Sequence, residues 1–159
     1  MKQIGAVLLF TILAFSSCHV TKETAGTGID EPKSSLTMAY YQTPGNNALD
    51  PEYSIELFSN KQMVLEAKKN LDKSGKYMRT LSAQEYKHLL KTFVDADFFK
   101  FEPEYTDTVS NLPTRYLYFA YQGHEKKIKD YFGAPETLTQ LEYSIQSFLD
   151  RVGWEKMTW

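Results

Sequence analysis

The chain has 159 residues, with 18 basic and 20 acidic side chains and a formal net charge of −2. Its length predicts a single domain, and a hydrophobic content of 42% is typical of a folded globular chain. The nearly balanced charge argues against a nucleic-acid partner, which requires a concentrated basic surface. The single cysteine, Cys18, excludes an internal disulfide and cysteine-rich zinc sites, and we expect no cofactor.

The first residues have the pattern of an export signal. Lys2 precedes an uncharged run of 12 residues at 4–15, which is too short to cross a bilayer but suits the apolar region of a signal peptide. The segment that follows, FSSC at 15–18, resembles the lipobox of bacterial lipoproteins, in which small residues precede an invariant cysteine. The alternative is an ordinary secretory signal with an unmodified Cys18.

The lipobox resemblance implies a location. In that family the cysteine is diacylated, the signal peptide is cut before it, and the new amine is acylated, for instance with palmitate. Residues 1–17 would then be a lipoprotein signal peptide, and Cys18 would anchor the protein to a membrane of the bacterial cell envelope. We expect the outer membrane, on its periplasmic or surface face, because several acyl chains give firm anchoring.

The segment after the cysteine differs from the rest of the chain. Residues 18–35 are rich in Thr, Gly, Ser and charge and have no apolar periodicity, so we predict a flexible tether. Residues 36–159 are then expected to form one domain.

Four strands are predicted at the start of this domain. Residues 36–42 have strand composition, and residues 53–59 alternate between apolar and polar positions. A turn at 60–61 leads to a return strand at 62–68, and residues 76–81 add a short further strand.

A helix is predicted next, because Ser82 and Glu85 have the spacing of a capping box. The helix extends to about Asp95. Its apolar stripe consists of Tyr86, Leu89, Leu90, Phe93 and Val94. An acidic loop with two prolines follows at 102–113.

The last part is predicted to contain a strand pair and a second helix. Residues 114–122 have the strongest strand pattern, residues 125–131 return, and the helix runs from 133–135 to Gly153. Its stripe consists of Leu138, Leu141, Ile145, Phe148, Leu149 and Val152. This order predicts an α+β domain, with an antiparallel sheet of about five to six strands and two helices packed on one face.

Residues from about 51 to 154 resemble domain of unknown function 6438, which occurs in bacterial lipoproteins with a lipobox signal. The similar segments are the strand pair from Tyr53, GKY at 75–77, LS at 81–82, ADFF at 96–99, Tyr105, LPT at 112–114, KDYFGAP at 129–135 and the terminal helix. Asn46 and Asp50 stand where the family pattern has cysteines, and Asn111 replaces its usual Asp. The family has no established activity, so the resemblance implies fold and location but no chemistry.

Two groups of side chains are candidate sites. The first is an acidic cluster of five carboxylates within thirteen residues: Asp95, Asp97, Glu102, Glu104 and Asp107. It lacks the spacing of a calcium loop, so we expect a solvated loop and no metal.

The second candidate site is a possible binding face at Tyr116 and Tyr118. Tyr40 would belong to this face if its strand is a neighbour. Exposed aromatic residues can stack on sugars or mark a protein interface, but they also pack across strands on wet sheet faces.

These patterns favour a non-catalytic module that is held at a membrane and binds an envelope protein or glycan. No nucleophile elbow or phosphate loop is present. One alternative is a small hydrolase or glycan-active enzyme using carboxylates of the 95–107 segment, and another is an inhibitor whose sheet face blocks an envelope enzyme. An enzyme would require a cleft with converging carboxylates, whereas a binding module would present a flat or grooved aromatic face.

Overall fold

The computed structural model describes residues 34–108 and 111–158. The signal peptide, Cys18 and the tether as far as residue 33 lie outside the described residues. Among the helices that are described, none is long and apolar enough to cross a membrane.

The described residues form eight strands, two α-helices and one turn of 3₁₀ helix at Phe98–Lys100. In chain order the elements are β1 Leu36–Gln42, β2 Glu52–Phe58, β3 Gln62–Lys69, β4 Gly75–Thr80, α1 Ala83–Asp95, β5 Glu104–Tyr105, β6 Arg115–Tyr121, β7 His124–Asp130, α2 Glu136–Gln146 and β8 Glu155–Lys156. The α+β class is therefore confirmed.

All eight strands belong to one sheet, in the order β5-β7-β6-β1-β2-β3-β4-β8. The β5–β7 pair is parallel and the others are antiparallel, so the prediction of an antiparallel sheet of five to six strands was wrong in both respects. The extra strands β5 and β8 have two residues each, which is too short for an alternating pattern. Both strands are defined by their pairing with strands that are distant in sequence. Directly after β8, for example, the Met157 amide donates to the Lys76 carbonyl at 2.9 Å.

Both helices lie against the same face of the sheet, which we call the inner face. Leu89 of α1 and Ile145 of α2 meet the same inner-face side chains, among them Met38 and Ile55. At the other end of this layer the chain after α1 adds an aromatic cluster. Its ring centroids are 5.5 Å apart for Phe93 and Phe98, 5.1 Å for Phe93 and Phe119, and 5.6 Å for Phe98 and Phe119.

The capping box of α1 is confirmed. The Glu85 amide donates to Ser82 Oγ at 3.1 Å, and the Ser82 amide donates to Glu85 Oε2 at 2.8 Å. The hydrogen bond from the Ser82 amide to the carboxylate is the main reason that the pKa of Glu85 lies below its usual value, and Arg79 and Arg151 reinforce the effect. Val94, predicted for the apolar stripe of this helix, is instead exposed.

The second helix is shorter than predicted, because α2 ends at Gln146 and not near Gly153. Beyond it the Phe148 amide donates to the Ile145 carbonyl at 3.0 Å, a three-residue spacing that tightens the chain into turns. Phe148 remains buried, but Val152 is 90% exposed, so its assignment to the buried stripe was wrong.

Candidate ligand-binding cleft

The inner face of the sheet ends in a row of polar side chains. Asp130 of β7 lies opposite Arg115 of β6, Arg115 lies opposite Gln42 of β1, and Gln42 lies opposite Tyr53 of β2. Because side chains alternate along a strand, Arg115 shares its face with the buried Leu117. The apolar inner face thus gives way to four polar side chains where β1 and β7 end.

Helix α2 lies over this row and adds a second buried carboxyl. Glu142 and Asp130 are each only 1% exposed. Arg115 Nη2 is 2.7 Å from Asp130 Oδ2, and Arg115 Nη1 is 3.2 Å from Glu142 Oε2. Apart from Arg115 and each other, the two carboxyls have no hydrogen-bond partner among the described residues. The guanidinium is therefore held between them, and we call these three residues the buried triad.

The surroundings of Glu142 favour the protonated form of its carboxyl. Burial raises the pKa of Glu142 to about 8; Arg115 opposes this increase, and the adjacent Asp130 adds to it. Near neutral pH Glu142 is therefore protonated and can donate to Asp130. One guanidinium charge then balances one carboxylate charge, so the triad is close to electrically neutral.

Tyr40 joins α2 to the sheet beside the triad. Gln146 Nε2 donates to the Tyr40 hydroxyl at 2.6 Å, and that hydroxyl donates to Gln42 Oε1 at 2.8 Å. Burial raises the pKa of Tyr40 far above its usual value and raises that of Tyr53 to about 12. Tyr40 is 0% exposed on the inner face, so its assignment to an exposed binding face was wrong.

A cleft of about 460 Å³ opens beside the triad. Arg115 and Asp130 line its floor, and the rim carries Leu112, Phe132 and Tyr143. These rim side chains are 37%, 43% and 60% exposed, and they are three of the six large apolar side chains that are strongly exposed in the described part of the chain. Exposed apolar surface is therefore concentrated around a polar floor.

Tyr116 and Tyr118 lie on the opposite, outer face of the sheet. The rings of Tyr116 and Tyr41 stack across β6 and β1 with centroids 6.0 Å apart, and Lys127 Nζ is 4.6 Å from the Tyr116 centroid. The Tyr118 hydroxyl donates to Glu125 at 2.8 Å. Both tyrosines are half-buried with cross-strand partners, as in the wet-face alternative, and a binding role for them stays a prediction.

The acidic cluster does not converge. Three of its carboxylates pair with lysines: Asp95 with Lys91 at 2.5 Å, Asp97 with Lys100 at 2.9 Å and Glu104 with Lys129 at 2.7 Å. The other two, Glu102 and Asp107, are exposed. Within residues 34–108 and 111–158, no group of three or more His, Cys, Asp or Glu side chains could hold a metal ion.

The departures from the family pattern cluster beside the cleft. The Asn46 side-chain amide donates to the side chain of Asn111, which precedes the rim residue Leu112. Asp50 Oδ2 accepts from the Gly45 amide at 3.0 Å, and a Cβ on Gly45 would lie only 2.6 Å from the Asn111 carbonyl oxygen. Asn46 therefore attaches the loop between β1 and β2 to the wall of the cleft, and Asp50 forms a hydrogen bond within that loop.

Sequence reasoning missed the buried triad, although one signal was available. Glu142 occupies a position on the buried stripe of α2, next to Leu141 and one turn from Leu138 and Ile145. A carboxyl on a buried stripe requires a partner. That signal identifies Glu142, but it cannot say that the partners are Arg115 and Asp130.

The fold and the cleft define a class of protein: a small α+β domain with a ligand-sized cavity at one end of its sheet. Residues 50–149 match domain of unknown function 6438 (DUF6438), and the chain belongs to this family. The matched segment contains the whole buried triad and α2, but it begins after β1, which pairs with both β2 and β6. A comparison with curated proteins found no match.

Proposed function

We propose that this chain is a lipid-anchored envelope protein whose domain binds an envelope ligand in the cleft beside Arg115. The observation that carries the proposal is a guanidinium held in place by two buried carboxyls and surrounded by an exposed apolar rim. Small-ligand sites are concave and combine apolar side chains with a few fixed polar groups that orient the ligand.

The lipobox-like residues 15–18 support the anchor. Acylated at Cys18, the domain would be tethered through residues 18–35, a coil whose root-mean-square reach is about 20–25 Å. The cleft would then stay within reach of polymers and proteins at the membrane surface, on the periplasmic or the surface side of the outer membrane.

Binding accounts for the triad better than catalysis does. The carboxyls of Asp130 and Glu142 converge, as an enzyme would require, but both are buried and occupied by Arg115. The group that is partly exposed is Arg115, whose side chain is 27% accessible. The carboxyls therefore serve to position the guanidinium.

Photocrosslinking in living cells tests this proposal. A photoreactive phenylalanine analogue replaces Tyr143 on the rim, and the matched control carries it at Tyr118 on the outer face. We expect a crosslinked product from position 143 and none from position 118. A product from position 118 alone, or none from either position, contradicts binding in the cleft.

A glycan-active enzyme is a second candidate, now centred on Glu142 and not on the 95–107 segment. A carboxyl that is protonated near neutral pH is what a general acid requires. Incubation of the full chain with purified cell walls tests it. Release of soluble sugar that disappears in Glu142→Gln would favour the enzyme, and no release would count against it.

A further inference from the structure

We infer that the cleft binds an uncharged sugar unit of an envelope glycan, with the sugar ring against the aromatic rim and its hydroxyls bonded to Arg115 on the floor. This inference rests on the proposed function, since it names the ligand of the same cleft.

The hydrogen-bonding state of Arg115 disfavours a charged ligand. A carboxylate or phosphate is held best when both terminal nitrogens of an arginine face it as a fork. Here Asp130 Oδ2 lies 2.7 Å from Nη2 and Glu142 Oε2 lies 3.2 Å from Nη1, so a carboxyl of the protein already stands at each terminal nitrogen. A cationic ligand would meet the guanidinium itself. Because these carboxyls already balance the guanidinium charge, the floor favours an uncharged ligand over an ionic one.

An uncharged hydroxyl fits the same floor. Each terminal nitrogen of a guanidinium has two N–H groups, so a carboxyl at each nitrogen still leaves N–H groups for a neutral oxygen. A hydroxyl carries no charge and can accept a hydrogen bond from the guanidinium. Thr139 and Gln146 also line the cleft and contribute a hydroxyl and an amide.

The rim provides the apolar part of the recognition. Tyr143 and Phe132 are 60% and 43% exposed, and both line the cleft. A sugar ring has a face of C–H groups that packs against an aromatic ring, while its hydroxyls remain free for the polar floor. Adjacent aromatic and polar walls match a ligand that is itself apolar on its face and polar at its edge.

Binding of the full chain, purified in detergent, to an array of neutral oligosaccharides (chitotriose, cellotriose and maltotriose) and acidic oligogalacturonates tests the inference. We expect binding to at least one neutral oligosaccharide and weaker or no binding to the acidic ones. Tyr143→Ala should weaken that binding by roughly 3- to 10-fold, since an aromatic contact of this kind has that effect. Tyr143→Phe keeps the ring and should retain binding. Tyr118→Ala is the matched control and should bind as the unchanged chain does.

The outcomes separate this inference from the proposed function. If no neutral oligosaccharide binds, or if Tyr143→Ala has no effect, the sugar is not the ligand. If position 143 nevertheless crosslinks to a protein, the proposal that the cleft binds a ligand stands. Only the inference that this ligand is a sugar is then overturned. Loss of sugar binding in Tyr118→Ala but not in Tyr143→Ala would place the sugar site on the outer face. That result would contradict both the sugar inference and the proposed binding in the cleft.

Discussion

Glu142 is the residue at which the packing of α2 and the chemistry of the cleft conflict. Its position on the helix is one that an apolar side chain would ordinarily fill, and its carboxyl is almost entirely removed from water. Such burial is tolerated because Arg115 and Asp130 contact it. Removing one member of a buried charged group leaves the others uncompensated, which typically costs about 3–5 kcal/mol.

Glu142 makes the stability of the domain depend on pH. Folding raises its pKa from 4.5 to about 8, so between these values the folded state keeps a proton that the unfolded state releases. The contribution of this group to the free energy of unfolding therefore falls as the pH rises through that window. Glu142→Gln cannot ionise and should flatten the decline, as measured by urea unfolding at about pH 5 and about pH 8.

Glu136→Gln is the matched control, since Glu136 is an exposed carboxylate in the first turn of the same helix. It should leave the pH dependence as it is in the unchanged chain. An equal decline in Glu142→Gln and in the unchanged chain would show that another group is responsible.

Tyr40 and its neighbour Tyr41 lie on opposite faces of the sheet. Tyr40 stands next to Tyr41 in a strand where both have the same propensity, yet Tyr40 is buried and Tyr41 faces outward to stack on Tyr116. Alternation separates the two residues, but it does not say which face the helices cover.

The first helix is defined by interactions between residues close in sequence. The capping box satisfies two backbone N–H groups at the helix start, and Glu85 also pairs with Arg79 at 2.6 Å. This explains why its beginning could be predicted to the residue.

Ser82→Ala removes one half of that box. The Glu85 amide then loses its acceptor, and we expect the free energy of unfolding to fall by about 0.5–2 kcal/mol in urea denaturation. Ser147→Ala, at the end of α2, removes an exposed hydroxyl that bonds only locally and should change stability by less than about 0.5 kcal/mol. If the two substitutions lower the free energy of unfolding equally, the capping box at Ser82 does not stabilise the helix.

The last strand depends on contacts far away in sequence. β8 pairs with β4, and Met157, just after it, is 3% exposed while its amide bonds to Lys76. These contacts bring the end of the described chain into the same sheet as β1.

Met157→Ala should therefore destabilise the whole domain, by about 2–5 kcal/mol, because it leaves a cavity in a buried site. Val152→Ala, at a side chain that is 90% exposed, should change the unfolding free energy by less than about 0.5 kcal/mol. If Met157→Ala leaves the urea midpoint unchanged, β8 does not unfold cooperatively with the sheet.

The anchor and the domain are expected to be separable. β1, the first described strand, lies in the middle of the sheet between β2 and β6, so the start of the described chain is held within the domain.

Cys18→Ala should abolish incorporation of labelled palmitate and retention in the membrane fraction, while the thermal unfolding midpoint of the domain stays the same. The reason is that the thiol is the group that receives the lipid, and without it the anchoring energy is lost. Ser17→Ala keeps a small residue before the cysteine and should retain the label. Continued palmitate labelling of Cys18→Ala would refute the lipobox assignment.

Local patterns were sufficient for most of the elements. Strand composition, the alternation of residues 53–59 and the turns between segments predicted β1 to β4, β6 and β7, and the spacing of Ser82 and Glu85 predicted α1, because each signal lies within a few residues of chain. A short segment can form these interactions regardless of how the rest of the chain folds.

Only the tertiary structure decided the parallel pairing of β5, the addition of β8, the inward position of Tyr40 and the meeting of the triad. Arg115, Asp130 and Glu142 come from β6, β7 and α2, and their contact depends on strand register and on how the helix docks. Those choices are made by the burial of apolar side chains from the whole domain at once, so no short segment contains them.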